Sequence, residues 1–183
     1  MAATDLDALV ALYLSAGGVN WKRNGNWNTP AELANWYGTK LDGQGRVVEL
    51  ILALNKIKGS IPKELGALTS LKRLWLNYNH LAGIIPKELG ALTNLKRLWL
   101  SNNQLTGSIP KEMGALTNLS GLLLSGNHLT GSIPKELGAL TKLEELFLGD
   151  NLLTRLEACN VFPFETQRNS NFQCARDAST TQL

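Results

Sequence analysis

Apolar positions recur along this chain with two different periods. Near the start, Leu6, Leu9, Val10, Tyr13 and Leu14 fall at helical spacing, Thr4-x-x-Asp7 can cap the first turn, and Gly17-Gly18 stops it. Thr29-Pro30-Ala31-Glu32 predicts a second, short helix, with Thr as N-cap and Pro at the first position. From residue 47 the period changes. Apolar triplets Val47/Leu50/Leu52, Leu71/Leu74/Leu76, Leu95/Leu98/Leu100, Leu119/Leu122/Leu124 and Leu143/Leu146/Leu148 each precede an asparagine: Asn55, Asn79, Asn103, Asn127 and Asn151, 24 residues apart. Within each triplet the last two leucines alternate with one other residue, which predicts a short strand with leucines facing inward. One such strand cannot bury its face alone, but stacked turns share a continuous core.

The other positions of the unit also have physical roles. The asparagine amide has both donors and an acceptor, so it can satisfy backbone groups where the chain leaves the strand. Stacked every 24 residues, the five amides should form a hydrogen-bonded column. Four turns continue into Gly-x-Ile-Pro, as in Gly59-Ser60-Ile61-Pro62, and then Leu-Gly-x-Leu, as in Leu65-Gly66-Ala67-Leu68, with Met113 once in place of Leu. The chain therefore divides into an N-terminal cap (1–46), five repeats (47–154, starting at 47, 71, 95, 119 and 143), a C-terminal cap (155–174) and a polar tail (175–183), all one structural domain.

This pattern resembles the plant-type leucine-rich repeat, L-x-x-L-x-L-x-x-N-x-L-x-G-x-I-P-x-x-L-G-x-L, over residues 47–154. The resemblance implies an α/β leucine-rich repeat solenoid: five parallel-strand turns, a helical N-terminal cap, an irregular C-terminal cap, and a second small sheet near the Gly-x-Ile-Pro units. It also implies a non-enzymatic module that recognises proteins or peptides through the concave strand face, as part of a receptor, immune or signalling protein. Trp36-Tyr37-Gly38 and the segment Gly45–Leu50 are similar to the family's N-terminal cap, except that Ala34 and Leu41 stand where cysteines are usual. Cysteine-free caps of this kind resemble those of algal, protist and bacterial repeat proteins. Trp21, Trp27, Trp36 and Tyr37 are expected to cover the first repeat, with Ile51 and Leu54 beneath the cap.

Outward strand positions read as columns down the repeats. One column is Ile51, Trp75, Trp99, Leu123, Phe147; beside it run Glu49, Arg73, Arg97, Gly121, Glu145 and Val48, Lys72, Lys96, Ser120, Glu144. Another is Leu54, Tyr78, Asn102, Gly126, Asp150. Exposed Trp and Arg are enriched at binding hot spots, so Lys72, Arg73, Trp75, Tyr78, Lys96, Arg97, Trp99 and Phe147 form the candidate partner site. Basic charge in the middle suits a protein or peptide with acidic and apolar character. Repeats two and three are close copies, both reading Leu-Lys-Arg-Leu-Trp-Leu, so duplication alone can also place two tryptophans together. An acidic glycan is the alternative ligand, since Trp stacks on sugar rings and Lys/Arg hold anions; inhibition of a secreted hydrolase is a further one by family analogy.

Composition adds limits. Thirty-six leucines in 183 residues, with 44% hydrophobic and 18% charged residues, exclude a disordered chain. A net charge of +3 gives no case for nucleic acid, and no apolar run approaches the ~20 residues of a membrane span. No cofactor motif, catalytic triad or metal cluster stands out; His80 and His128 sit two turns apart, about 10 Å at strand spacing, with Gln104 between. Cys159 and Cys174 can bridge or stay as free thiols, and both readings stay open. Without a basic-then-apolar start, and without cap cysteines, the sequence favours the cytoplasm; an extracellular chain would need a signal removed.

Overall fold

The structure is a computed structural model and describes residues 4–154. The predicted C-terminal cap, the polar tail, Cys159 and Cys174 lie outside the described residues. A helix, α1 (Asp5–Ser15), opens the chain. Eleven strands follow: β1 (Thr39–Leu41), β2 (Val47–Ile51), β3 (Lys58–Ser60), β4 (Arg73–Trp75), β5 (His80–Ile84), β6 (Arg97–Trp99), β7 (Gln104–Gly107), β8 (Gly121–Leu123), β9 (His128–Ser132), β10 (Glu145–Phe147) and β11 (Leu152–Thr154). Short 3₁₀ segments at Lys63–Ala67, Lys87–Ala91, Lys111–Ala115 and Lys135–Ala139 return the chain to the next turn.

The strands make two sheets. One has the order β1-β2-β4-β6-β8-β10, with β1 antiparallel to β2 and all other pairs parallel. The other, smaller in its strands, has the order β11-β9-β7-β5-β3, all parallel. Between them lies the core. The triplet leucines from Leu50 to Leu124 have no solvent exposure, and Ile61, Ile85, Ile109 and Ile133 of the Gly-x-Ile-Pro units are buried beside them. This is the α/β solenoid that the resemblance to leucine-rich repeats implied. Close stacking on the 3₁₀ side depends on glycine: a Cβ on Gly90 would stand 2.5 Å from the Glu112 carbonyl oxygen of the next turn, and one on Gly114 2.5 Å from that of Glu136.

The asparagines bridge turns through backbone groups rather than through one another. Asn103 Nδ2 donates to the Leu76 and Leu100 carbonyls (3.0 Å each), and its Oδ1 accepts from Leu81 N–H at 3.0 Å. Asn127 repeats this with Leu100, Leu124 and Leu105, and Asn151 with Leu124, Leu148 and Leu129. Asn79 Oδ1 accepts from both Asn55 N–H and Ile57 N–H. Asn55 faces the cap instead, accepting from Arg23 N–H and donating to Arg23 O.

The cap closes the first turn by aromatic packing. Trp21, Trp27 and Trp36 are buried, with ring centroids 4.8 Å (21 to 27) and 5.0 Å (27 to 36) apart, and each indole N–H donates to a carbonyl. The box at Thr4 and Asp7 forms as the sequence predicts. Two expectations fail here. The inward stripe of α1 is Ala8, Leu9 and Leu12, with Val10 and Tyr13 partly buried against the core, whereas Leu6 and Leu14 are 46% and 69% exposed. No helix forms at Thr29–Glu32. Asn26 and Asn28 take left-handed φ (64° and 54°), Thr29 Oγ1 donates back to Asn26 O, and only a 3₁₀ turn at Leu33–Asn35 follows. Among the described residues no helix is long and apolar enough to cross a membrane.

Candidate functional site

The first sheet builds the site by register. Parallel pairing sets Glu49 beside Arg73, Arg73 beside Arg97, Arg97 beside Gly121 and Gly121 beside Glu145. The same pairing aligns Ile51, Trp75, Trp99, Leu123 and Phe147, all half-buried, as an apolar ridge across the outward face. At its centre the Trp75 and Trp99 rings stack with centroids 4.1 Å apart and planes 6° from parallel. That separation is below the ~4.8 Å between strands, so the rings lean onto one another. Both indole nitrogens are occluded and without an acceptor, and Asn77 Oδ1 is occluded without a donor.

Charge around the ridge is uneven. Arg73 pairs with Glu49 at 3.0 Å, and Lys40 approaches the same carboxylate at 3.4 Å. Arg73 is thus committed within the fold. Lys72, Lys96 and Arg97 are exposed, and among the described residues none lies within ion-pair distance of a carboxylate. Gly121 leaves a gap in the Arg column; a Cβ there would meet Glu145 Oε2 at 3.1 Å, Trp99 Nε1 at 3.7 Å and Arg97 Cγ at 3.8 Å. The middle of the face is therefore basic and its far end acidic, with Glu144 and Asp150 exposed.

Of the sequence-predicted residues, Arg73, Trp75, Arg97, Trp99 and Phe147 share this face, and Lys72 and Lys96 stand exposed one residue before its strands. Tyr78 stands off it, where the chain turns out of the sheet with φ 56°, and is 55% exposed. Leu54, expected beneath the cap, is instead 60% exposed at the equivalent place in the first turn, also at φ 56°. Ile51 meets the cap through its backbone, its N–H donating to Gly38 O at 2.8 Å, while its side chain stays half-buried on the ridge. Sequence reasoning missed Leu54 as a surface group. The available signal was its column, in which Asn102, Gly126 and Asp150 are residue types suited to positive φ. His80 and His128 are exposed on the second sheet, and among the described residues no cluster of His, Cys, Asp and Glu is placed to hold a metal.

Comparison with known proteins follows this geometry. Residues 69–112 match the leucine-rich repeat family in its two-copy form, and residues 118–140 match the single leucine-rich repeat. No curated protein sequence is significantly similar. Among solved structures, the BIR2 ectodomain of Arabidopsis thaliana is 32% identical over 85% of this chain and 84% of that one, with a TM-score of 0.78. The BIR3–SERK2 complex of Arabidopsis thaliana gives 29% identity over 93% of this chain and 95% of the matched chain, TM-score 0.73. A plant ice-binding protein gives 33% identity over 82% of this chain and 49% of its own, TM-score 0.75. The expectation of a cytoplasmic protein is corrected by these relatives: the matched BIR2 structure is an ectodomain, which points to the extracellular side. The absent cap cysteines misled because the tryptophan cluster closes the cap without them. With a 32% identical relative covered over most of its length, and the repeat geometry in place, the chain belongs to the plant-type leucine-rich repeat proteins.

Proposed function

We propose that the chain is a non-enzymatic recognition module that binds a protein or peptide segment across the outward face of the first sheet. The observation that carries this is the Trp75–Trp99 stack, a large, pre-ordered aromatic surface held half-open to solvent at the centre of a half-buried apolar ridge. The uncommitted cations Lys72, Lys96 and Arg97 beside it favour a partner with acidic as well as apolar groups. A receptor, immune or signalling role fits a module that is similar to the BIR2 ectodomain and to one chain of the BIR3–SERK2 complex.

The test is affinity capture from a native extract with the wild-type chain and the Trp75→Ala/Trp99→Ala variant in parallel. Loss of the tryptophans should weaken a captured partner by more than ~2 kcal/mol, about 30-fold, while circular dichroism stays unchanged. Equal capture by the folded variant would remove the site assignment. Retention on an acidic glycan column that collapses with added salt would assign the face to a charged polysaccharide instead.

A second reading rests on the second sheet. Thr106, Thr130 and Thr154 are exposed at one position of successive turns, with Ser108 and Ser132 exposed two residues further on. The register sets Ser132 beside Thr154, but His128 beside Thr106 and Leu152 beside Thr130, so the hydroxyls recur turn by turn rather than in one lateral row; in a chain similar to an ice-binding protein, that recurrence suits adsorption to an ice lattice. Thermal hysteresis measured on the purified chain checks it, and Thr130→Tyr should abolish any activity found.

A further inference from the structure

The outward column at the exit from the first sheet contains its own controls. All five of its residues take positive φ: Leu54 56°, Tyr78 56°, Asn102 56°, Gly126 68° and Asp150 53°. Asn, Gly and Asp tolerate that region; Leu and Tyr do so at a cost in strain. Leu54 and Tyr78 also hold more than half their surface in water. They are adjacent in the stack, since Leu54 N–H donates to Asn77 O and Tyr78 N–H to Ser101 O. Two penalties, strain and apolar exposure, therefore fall together at two neighbouring turns.

Repeats two and three sharpen the comparison, because they are identical from Leu71 to Leu76 and from Leu95 to Leu100. Beyond that point they diverge. Repeat three has Ser101, whose Oγ accepts from Ser125, and then Asn102. Repeat two has Asn77, with an occluded and unpartnered Oδ1, and then Tyr78. The fold accepts the relieved pair one turn away, so it does not require the strained one. Departures from local rules that the fold does not need concentrate at functional surfaces.

We infer that Leu54 and Tyr78 form an edge extending the Trp75–Trp99 site, which docks large apolar side chains of an acidic peptide segment in a partner protein. This rests on the recognition reading above and adds to it where the partner leaves the sheet. Three observations select that occupant. The edge borders the ridge along the chain, with Leu54 three residues beyond Ile51 and Tyr78 three beyond Trp75. Exposed Lys56 stands two residues from Leu54, and the adjoining face carries exposed Lys72, Lys96 and Arg97; among the described residues none of the four lies within ion-pair distance of a carboxylate. Glu49, the carboxylate at the near end of the face, is already held by Arg73 and Lys40.

The probe is a random-peptide display library selected on the wild-type chain, with selected peptides then titrated against two variants. Selected sequences should be rich in Asp/Glu and in Phe, Tyr, Leu or Trp. Leu54→Asn/Tyr78→Asn should weaken them at least tenfold and at the same time raise the Tm by roughly 2–4 °C, because the strain is removed. Trp75→Ala/Trp99→Ala should weaken the same peptides. Peptides that lose affinity with the Trp variant but bind the Asn variant within twofold of wild type overturn the edge alone. Peptides indifferent to both variants, or a library with no retained binder, overturn the recognition site as well. Selection of neutral or basic peptides overturns the acidic partner.

Discussion

At the scale of the residue, the solenoid depends on a few side chains that cannot be exchanged for similar ones. Asn103 is one. Its amide satisfies the Leu76 and Leu100 carbonyls and the Leu81 N–H, all inside the core. Asn103→Ala leaves the Leu81 N–H buried without a partner, at ~1–3 kcal/mol, and takes one of two donors from each carbonyl, since Leu76 O still accepts from Asn79 Nδ2 and Leu100 O from Asn127 Nδ2. We expect a loss of about 2 kcal/mol in urea unfolding, with Asn103→Asp recovering little because a buried carboxylate would face the two carbonyl oxygens with no proton to donate. Gly90 is another. A methyl group there would stand 2.5 Å from the Glu112 carbonyl oxygen and 2.8 Å from its carbon, so the next turn must shift. Gly90→Ala should destabilise by roughly 2–4 kcal/mol despite the better helix propensity of alanine, as overpacking against rigid backbone does. Both effects are read by denaturant midpoints at unchanged m-value.

At the scale of the element, the caps and the turns respond differently to acid. The Asp7 carboxylate accepts from the Thr4 backbone N–H and hydroxyl, which holds its pKa below the ordinary value. Asp42, which turns β1 into β2, accepts from Arg46 N–H and pairs with the Arg46 guanidinium, and is lowered in the same direction. A carboxylate depressed in the folded state stabilises above its unfolded pKa, near 3.9, and loses that stabilisation as pH falls through the folded value. The asparagine ladder contains no titratable group. Acid below about pH 4 should therefore loosen the cap first, seen as a change in tryptophan fluorescence before the strand signal in circular dichroism is lost; coincident transitions would refute this. The same division explains what could be read from sequence. The turns were legible because each inward position is fixed five times over by the 24-residue period. The cap occurs once. Thr29-Pro30-Ala31-Glu32 has the local features of a helix start, but the left-handed Asn26 and Asn28 before it flank the buried Trp27 and turn the chain instead. Leu54 was misplaced for a related reason: apolar character predicts burial, but a positive φ at the sheet exit turns the side chain to solvent. The outward columns that make up the site followed directly from the register, whereas the stacking of Trp75 on Trp99 and the commitment of Arg73 to Glu49 needed side-chain geometry.

At the scale of the whole molecule, stability passes from turn to turn, because each turn touches only its neighbours. The cap meets the stack at its first turn: α1 packs on β3 and on the Lys63–Ala67 segment, β1 pairs with β2, and Asn55 is tied to Arg23. Trp27 lies at the centre of that junction, 3% exposed, within 5.0 Å of the Trp36 ring and 4.8 Å of the Trp21 ring. Trp27→Ala should remove about 3–5 kcal/mol of cap stability, a large share of the ~5–15 kcal/mol typical of a domain. How far that loss travels distinguishes two architectures. If the chain unfolds as one unit, every slowly exchanging amide falls by the same free energy. In a nearest-neighbour stack the cap opens first and the damage decays along the chain. Native-state hydrogen exchange on Trp27→Ala should therefore show the Leu52 amide, bonded to Trp75 O, losing most protection. The Leu76 amide, bonded to Trp99 O, should lose less, and the Leu100 amide, bonded to Leu123 O, least. Equal loss at all three would show that the concave site and the cap form a single cooperative body. A gradient would mean that the Trp75–Trp99 surface is pre-ordered by the turns on either side of it, and that the cap serves to stop fraying before it reaches them.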